Sequence, residues 1–144
     1  MHYVEHIASQ IVMGFNDTFQ LGEGWHERAI DPRSRILYRI TQRQATFRLR
    51  KEAHHGQLKC LLAASPSLLG QPVLGRLHVE DCLAGYLQLE TDNWVLRTFD
   101  IHEFPDGELD CCFEIKTTFV PAKYLNNGDY RELGIYVAAL NLVA

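Results

Sequence analysis

Asp129 and Arg131 stand two residues apart just after Asn126-Asn127-Gly128, so an extended backbone turns both side chains the same way. Together they can clamp a sugar hydroxyl or an anion. The same spacing also has a structural use, in which Asp129 caps the turn and Arg131 bonds neighbouring carbonyls to hold the last strand in register. Trp25, between Gly24 and His26, offers a flat face for stacking on the apolar side of a sugar ring, and Arg39 can join it from the next strand. Trp94 opens an apolar run and is expected to pack inside. Trp25, Arg39, Asp129 and Arg131 are therefore the expected ligand-binding residues.

Seven histidines and four cysteines raise the question of a metal, but the chain contains neither Cys-x-x-Cys nor His-Glu-x-x-His. Cys111 and Cys112 are consecutive, so in a strand they point to opposite faces and do not share an ion. His54-His55 with Cys60, and His78 with Cys82, are partial sets at most, and no cofactor is expected. There is no Gly-x-Ser-x-Gly elbow, phosphate loop or dinucleotide fingerprint, so no catalytic residue is assigned. Carboxylates are plentiful, yet a glycosidase pair is defined by separation in space. An enzyme acting on a sugar or nucleotide-sugar is thus the rival to a binding module.

The elements that must position these residues are strands. Ala45-Thr46-Phe47-Arg48-Leu49-Arg50 alternates apolar and polar, and Leu109 to Lys116 repeats the pattern with Leu109, Cys111, Phe113 and Ile115 on one face. Between them, residues 57–64, 73–79, 83–90 and 94–101 are each of strand length and end in turn chemistry, such as Gly70-Gln71-Pro72, Thr91-Asp92-Asn93 and Pro105-Asp106-Gly107. The run Leu133 to Leu142 is apolar on both sides, as in a strand covered on both faces, with a short helix as the alternative. Helical turns are expected only in the first twenty residues and at residues 67–70. Evenly spaced short strands mean an all-β fold, a two-sheet antiparallel β-sandwich or a barrel.

A length of 144 residues is enough to bury one core without a metal or disulfide, and 47% hydrophobic with 22% charged residues is the mix of a folded globular chain. One domain over residues 1–144 is the expectation. No run reaches the roughly 18 apolar residues of a membrane helix, and Met1 to His6 lacks the basic and apolar regions of a secretory signal. With cysteines in no framework spacing, a cytoplasmic protein is expected. The net charge of −4 hides a polarity: within 28–51 eight cations face only Asp31, whereas from residue 80 onward acids dominate. Such polarity can steer an anion or bring two parts of one surface, or two subunits, together. Arg48 and Arg50 are the solvent face of an amphipathic strand, so the basic stretch ranks nucleic acid last among partners.

Three segments in order carry a resemblance: Gly22-Glu23-Gly24-Trp25-His26; Tyr38-Arg39-Ile40-Thr41 leading into Ala45-Thr46-Phe47; and Val120-Pro121-Ala122 followed by Asp129-Tyr130-Arg131-Glu132-Leu133-Gly134-Ile135. They resemble bacterial β-sandwich domains found beside glycosyltransferases and sugar methyltransferases of surface-polysaccharide synthesis. His26 stands where those domains carry Tyr, and Ile40 where they carry Trp. The resemblance implies a jelly-roll fold like that of carbohydrate-binding modules, a carbohydrate or nucleotide-sugar as ligand, and a glycosyltransferase as partner. A homo-oligomeric scaffold is the third reading.

Overall fold

The computed structural model describes residues 6–144; Met1 to Glu5, on which the reading of the N-terminus rests, lie outside the described residues. Ten strands form two antiparallel sheets: β1 (Gln10–Val12), β2 (Trp25–Ile30), β3 (Leu37–Thr41), β4 (Gln44–Lys51), β5 (Gln57–Ala63), β6 (Val73–Val79), β7 (Cys82–Leu89), β8 (Val95–Asp100), β9 (Gly107–Ile115) and β10 (Tyr136–Val143). Three helices of one turn, α1 (Asp17–Gln20), α2 (Pro66–Leu69) and α3 (Ala122–Leu125), sit in the connections. The expected strands at 45–50, 57–64, 73–79, 83–90, 94–101 and 109–116 are all present within about a residue or two. The apolar run at 133–142 is also a strand, although it starts only at Tyr136.

Pairing is nested. β3 pairs β10, β4 pairs β9, β5 pairs β8 and β6 pairs β7, as if one long hairpin had been rolled into two layers. The result is the sheet β3-β10-β5-β8 facing the sheet β4-β9-β6-β7, the jelly-roll arrangement, with β2 and β1 added to the first sheet. The fold is an all-β sandwich. Its core is filled by the inward phase of each strand: Phe47 and Leu49 from β4, Leu58 and Leu62 from β5, Leu77 from β6, Phe113 and Ile115 from β9, Val137 and Leu140 from β10. The alternation in β4 and β9 is complete, so every second residue of Ala45 to Lys51 and of Leu109 to Ile115 is buried. Lys51 ends β4 in an inward position, and its ammonium leaves the core by reaching Asp106 at 2.8 Å.

Backbone close approach explains two of the motifs. A Cβ on Gly24 would lie 1.7 Å from the carbonyl oxygen of Gln44, and Gly24 has φ +91, so only glycine passes there. Residues 22–25 thereby lie along the edge of β4, with Gly22 N donating to Thr46 O at 2.9 Å and Thr46 N to Glu23 O at 2.9 Å. That covering protects a sheet edge. At the other end, a Cβ on Gly134 would meet Thr41 Oγ1 at 2.3 Å, which is why the chain narrows to glycine after Leu133.

Candidate functional site

Val137 and its partner Leu62 point to the core, so their neighbours Tyr136 and Ala63 turn to the outer face of the larger sheet, together with Ile40 and Tyr38. A flap covers that face. Residues 117–135 leave β9, form α3, and return through a two-way bridge in which Phe119 N donates to Leu133 O at 2.9 Å and Leu133 N to Phe119 O at 2.8 Å. Phe119 and Leu133 then pack on Ile40, Tyr38 and Tyr136. From the opposite edge Trp94 meets Tyr38 edge to face at 5.6 Å and donates its Nε1–H to Asp31 Oδ2 at 2.8 Å. Trp94, expected inside the core, is instead half-buried on the outer face of the larger sheet, where its indole N–H finds a carboxylate.

The four residues expected to bind ligand are divided by this arrangement. Asp129 and Arg131 pair with each other on the flap, through Nε to Oδ1 at 2.9 Å and Nη2 to Oδ2 at 2.7 Å, and Asp129 Oδ1 also accepts the Arg131 amide at 3.1 Å. Those bonds hold the Asp129 carboxyl down at about 2. Arg131 comes close enough to the Tyr38 hydroxyl to be felt there, although burial, the larger influence, keeps that hydroxyl above its ordinary value. Trp25 is half-buried: its Nε1 donates to Thr46 O at 2.7 Å and its ring meets Phe47 edge-on at 6.4 Å. Arg39 turns inward, bonding Asp17 Oδ2 at 2.7 Å and His26 O at 3.2 Å. Burial pushes the Asp17 carboxyl up, but the bonds from Arg39 and nearby amides outweigh it and leave it below the carboxylate range. Asp129 and Arg131 are brought together; Trp25 and Arg39 are each engaged in the frame.

The outer face of the smaller sheet is built differently. Gln44 on β4 lies opposite Glu114 on β9, Glu114 opposite Arg76 on β6, and Arg76 opposite Tyr86 on β7. Directly paired residues share a face, so these four side chains form one row of about 14 Å across the four strands. Arg76 holds Glu114 by an ion pair. Tyr86 is 73% exposed at the end of the row, and the floor beside it is a groove of about 890 Å³ that also receives Leu74, Gln88, Arg43 and Lys116. Arg43 is fixed at the rim by Thr118 Oγ1 at 2.8 Å and Glu132 at 3.2 Å. Among the described residues this is a broad surface with an exposed aromatic ring flanked by aligned donors and acceptors.

Two residues further along each strand lies the row of Thr46, Cys112 and His78. His78 Nε2 is buried without a hydrogen-bond partner among the described residues, its nearest carboxylate oxygen being Glu114 Oε2 at 3.9 Å. Cys112 Sγ stays on this face while Cys111 is in the core, as their adjacency requires, and burial raises both thiols. Cys60 is fully buried in the core, so it is not available to a ligand shared with His54 and His55. No three His, Cys, Asp or Glu side chains among the described residues stand close enough to hold a metal ion.

The sequence reading passed over Tyr86, Arg76, Gln88, Gln44 and Glu114. A signal was present: in Leu83 to Glu90 the buried phase is Leu87 and Leu89, which leaves Tyr86 as an aromatic in the solvent phase of an alternating strand.

Among solved structures the chain is similar to a family 35 carbohydrate-binding module from Clostridium thermocellum, with a TM-score of 0.51 and 13% identity over 86% of this chain and 90% of that one. The chain shares the fold of a carbohydrate-binding module. It is also similar to part of a family GH115 4-O-methyl-α-glucuronidase with specificity for decorated arabinogalactans, with a TM-score of 0.55 and 8% identity, covering 97% of this chain and 18% of that enzyme. At these identities the likeness is one of fold. No protein-family model and no curated protein sequence matches the chain. No helix among the described residues is long and apolar enough to cross a membrane.

Proposed function

We propose that the protein is a non-catalytic carbohydrate-binding domain whose ligand lies on the outer face of the smaller sheet, stacked on Tyr86. The observation that carries this reading is the row Gln44, Glu114, Arg76 and Tyr86, which sets an exposed aromatic ring beside hydrogen-bonding groups held in strand register. A sugar has an apolar face of C–H groups and an equatorial rim of hydroxyls, and this row offers a partner to each. Rigid strands hold the groups in place before binding, which lowers the entropy lost when the ligand docks. Glu114, tied to Arg76, serves as an acceptor for hydroxyls.

The shared fold with a carbohydrate-binding module supports the same reading, and it does so by analogy of architecture. The resemblance of the segments around Trp25, Arg39 and Asp129 to domains of surface-polysaccharide synthesis supports a place in bacterial glycan assembly beside a glycosyltransferase. Four free cysteines, two of them fully inside the core, support work in the reducing cytoplasm. In this reading Trp25 and Arg39 brace the frame, and Asp129 with Arg131 braces the flap, whose Glu132 fixes Arg43 at the rim of the groove.

The test is isothermal titration of purified protein with a panel of oligosaccharides and nucleotide-sugars, followed by the same titration of Tyr86→Ala and Arg76→Ala. Binding that falls at least about tenfold in both variants, a loss of 1.4 kcal/mol or more, is the expected result. Binding that survives both, or that is lost only in Arg131→Ala, moves the site to the flap and overturns the assignment.

A further inference from the structure

A second recess lies on the same face as the Tyr86 groove. The row of Thr46, Cys112 and His78 is two residues further along the same strands, and it lines this recess of about 420 Å³, which runs on to Arg48, Asp110 and Asp81. From the level of Leu74 to that of Asp110 the two recesses follow the strands for about 20 Å. What separates them is the strand surface itself, with His78 and Cys112 as its floor. At the far end the β6–β7 connection is only Glu80 and Asp81, both at positive φ, a two-residue turn whose Asp81 borders the second recess. A path of this shape admits a chain that continues past the site, whereas recognition of a chain end needs a closed end to butt against.

Charge along the path is balanced. Arg43 stands against Glu132, Arg48 against Asp110 at 3.1 Å and Arg76 against Glu114, while Lys116 at one end and Asp81 at the other carry opposite signs. Each of these arginines already stands beside a carboxylate, so the face presents paired charges and no lone cation among the three. The field that would draw a polyanion is cancelled within the face.

Resting on the proposed function, we infer that the ligand is the interior of an extended, uncharged glycan chain lying along the strands from Tyr86 across His78 to Arg48. Tyr86 stacks one ring and sets the register; His78 and the second recess contact the rings that follow. Affinity then grows with chain length until both recesses are filled, and salt leaves it unchanged.

The experiment uses cello-, xylo- and manno-oligosaccharides from the disaccharide to the hexasaccharide, with polygalacturonate as a charged competitor, read by calorimetry and by NMR shifts of the Tyr86 and His78 rings. The expected result is an affinity about tenfold or more higher for a hexasaccharide than for the disaccharide of the same sugar. Disaccharides should shift Tyr86 alone, and hexasaccharides both rings. His78→Ala, with its fold confirmed by thermal melt, should bring the hexasaccharide back to the disaccharide affinity, and polygalacturonate should not compete. Equal affinity at all lengths, or salt-sensitive competition by polygalacturonate, overturns the extended neutral chain while leaving Tyr86 as the binding residue. Failure of every sugar to bind or to shift Tyr86 overturns this inference and the binding function together.

Discussion

Tyr38, Tyr136 and Trp94 on the larger sheet, and Tyr86 on the smaller one, all occupy the outward phase of their strands or strand ends, yet their surroundings differ. Tyr38 and Tyr136 are roofed by the flap, Trp94 packs beside Tyr38 and is tied to Asp31, and the Ser65 hydroxyl lies 2.7 Å from that of Tyr136. Tyr86 stands on a face where the described chain crosses no further, beside polar side chains that bond one another across strands. The difference comes from the connections. The link between β9 and β10 is long enough to fold back over one sheet, whereas β6 and β7 are joined by two residues. Outward aromatics therefore have two fates: under a long connection they become a second small core, and beside a short one they remain available to a ligand.

That contrast predicts where substitutions act on stability and where on binding. The largest effect belongs to the frame: Arg39→Ala strands the carboxylate of Asp17, whose side chain is 3% exposed, and should lower unfolding free energy by about 4 kcal/mol in urea denaturation. Leu133→Ala, which empties a contact beneath the flap, should cost about 3 kcal/mol, and a change below about 0.5 kcal/mol would mean that the roof is not load-carrying.

Acid should weaken the flap. Asp129 is held at about 2 against 3.8 in the open chain, so its bonds to Arg131 stabilise the fold fully above that upper value and are lost as pH falls towards 2. Hydrogen exchange of the Phe119 and Leu133 amides, which bridge the flap, checks this during acid titration, and Asp129→Asn should remove that part of the acid transition. On the open face, a double-mutant cycle on exposed Arg48 and Asp110 should return only about 0.5 kcal/mol. The smallest effect on stability is that of Tyr86→Ala, within about 0.5 kcal/mol, even though the same change should remove sugar binding. A large loss of stability there would erase the distinction between the two faces.

The charge polarity of the sequence resolves the same way. Arg48 of the basic stretch meets Asp110 of the acidic half across β4 and β9, and Arg43 meets Glu132, so two parts of one surface attract each other. Strands β4 and β9 were legible because they alternate over six residues or more, and β5 to β8 because each is of strand length and ends in turn chemistry. The strands at Gln10–Val12, Trp25–Ile30 and Leu37–Thr41 were not delineated, and neither was the helical turn at Ala122–Leu125. They are short or half-exposed: Trp25–Ile30 buries no residue fully, so it carries no period-2 signal to read. The site shares this limit, since the worth of Tyr86 depends on Arg76 and Glu114 standing opposite it in pairings the local pattern does not specify.

Alternation by itself determined that the chain is all-β, that Arg48 and Arg50 face water and that Cys111 and Cys112 part company, because side-chain direction in a strand follows from residue parity alone. Tertiary structure decided which sheet is roofed, which arginines are spent on carboxylates and which aromatic is left open. Those outcomes depend on contacts between residues as distant in the chain as Arg43 and Glu132 or Asp31 and Trp94, and distance along a chain says nothing of distance in space until the strands have paired.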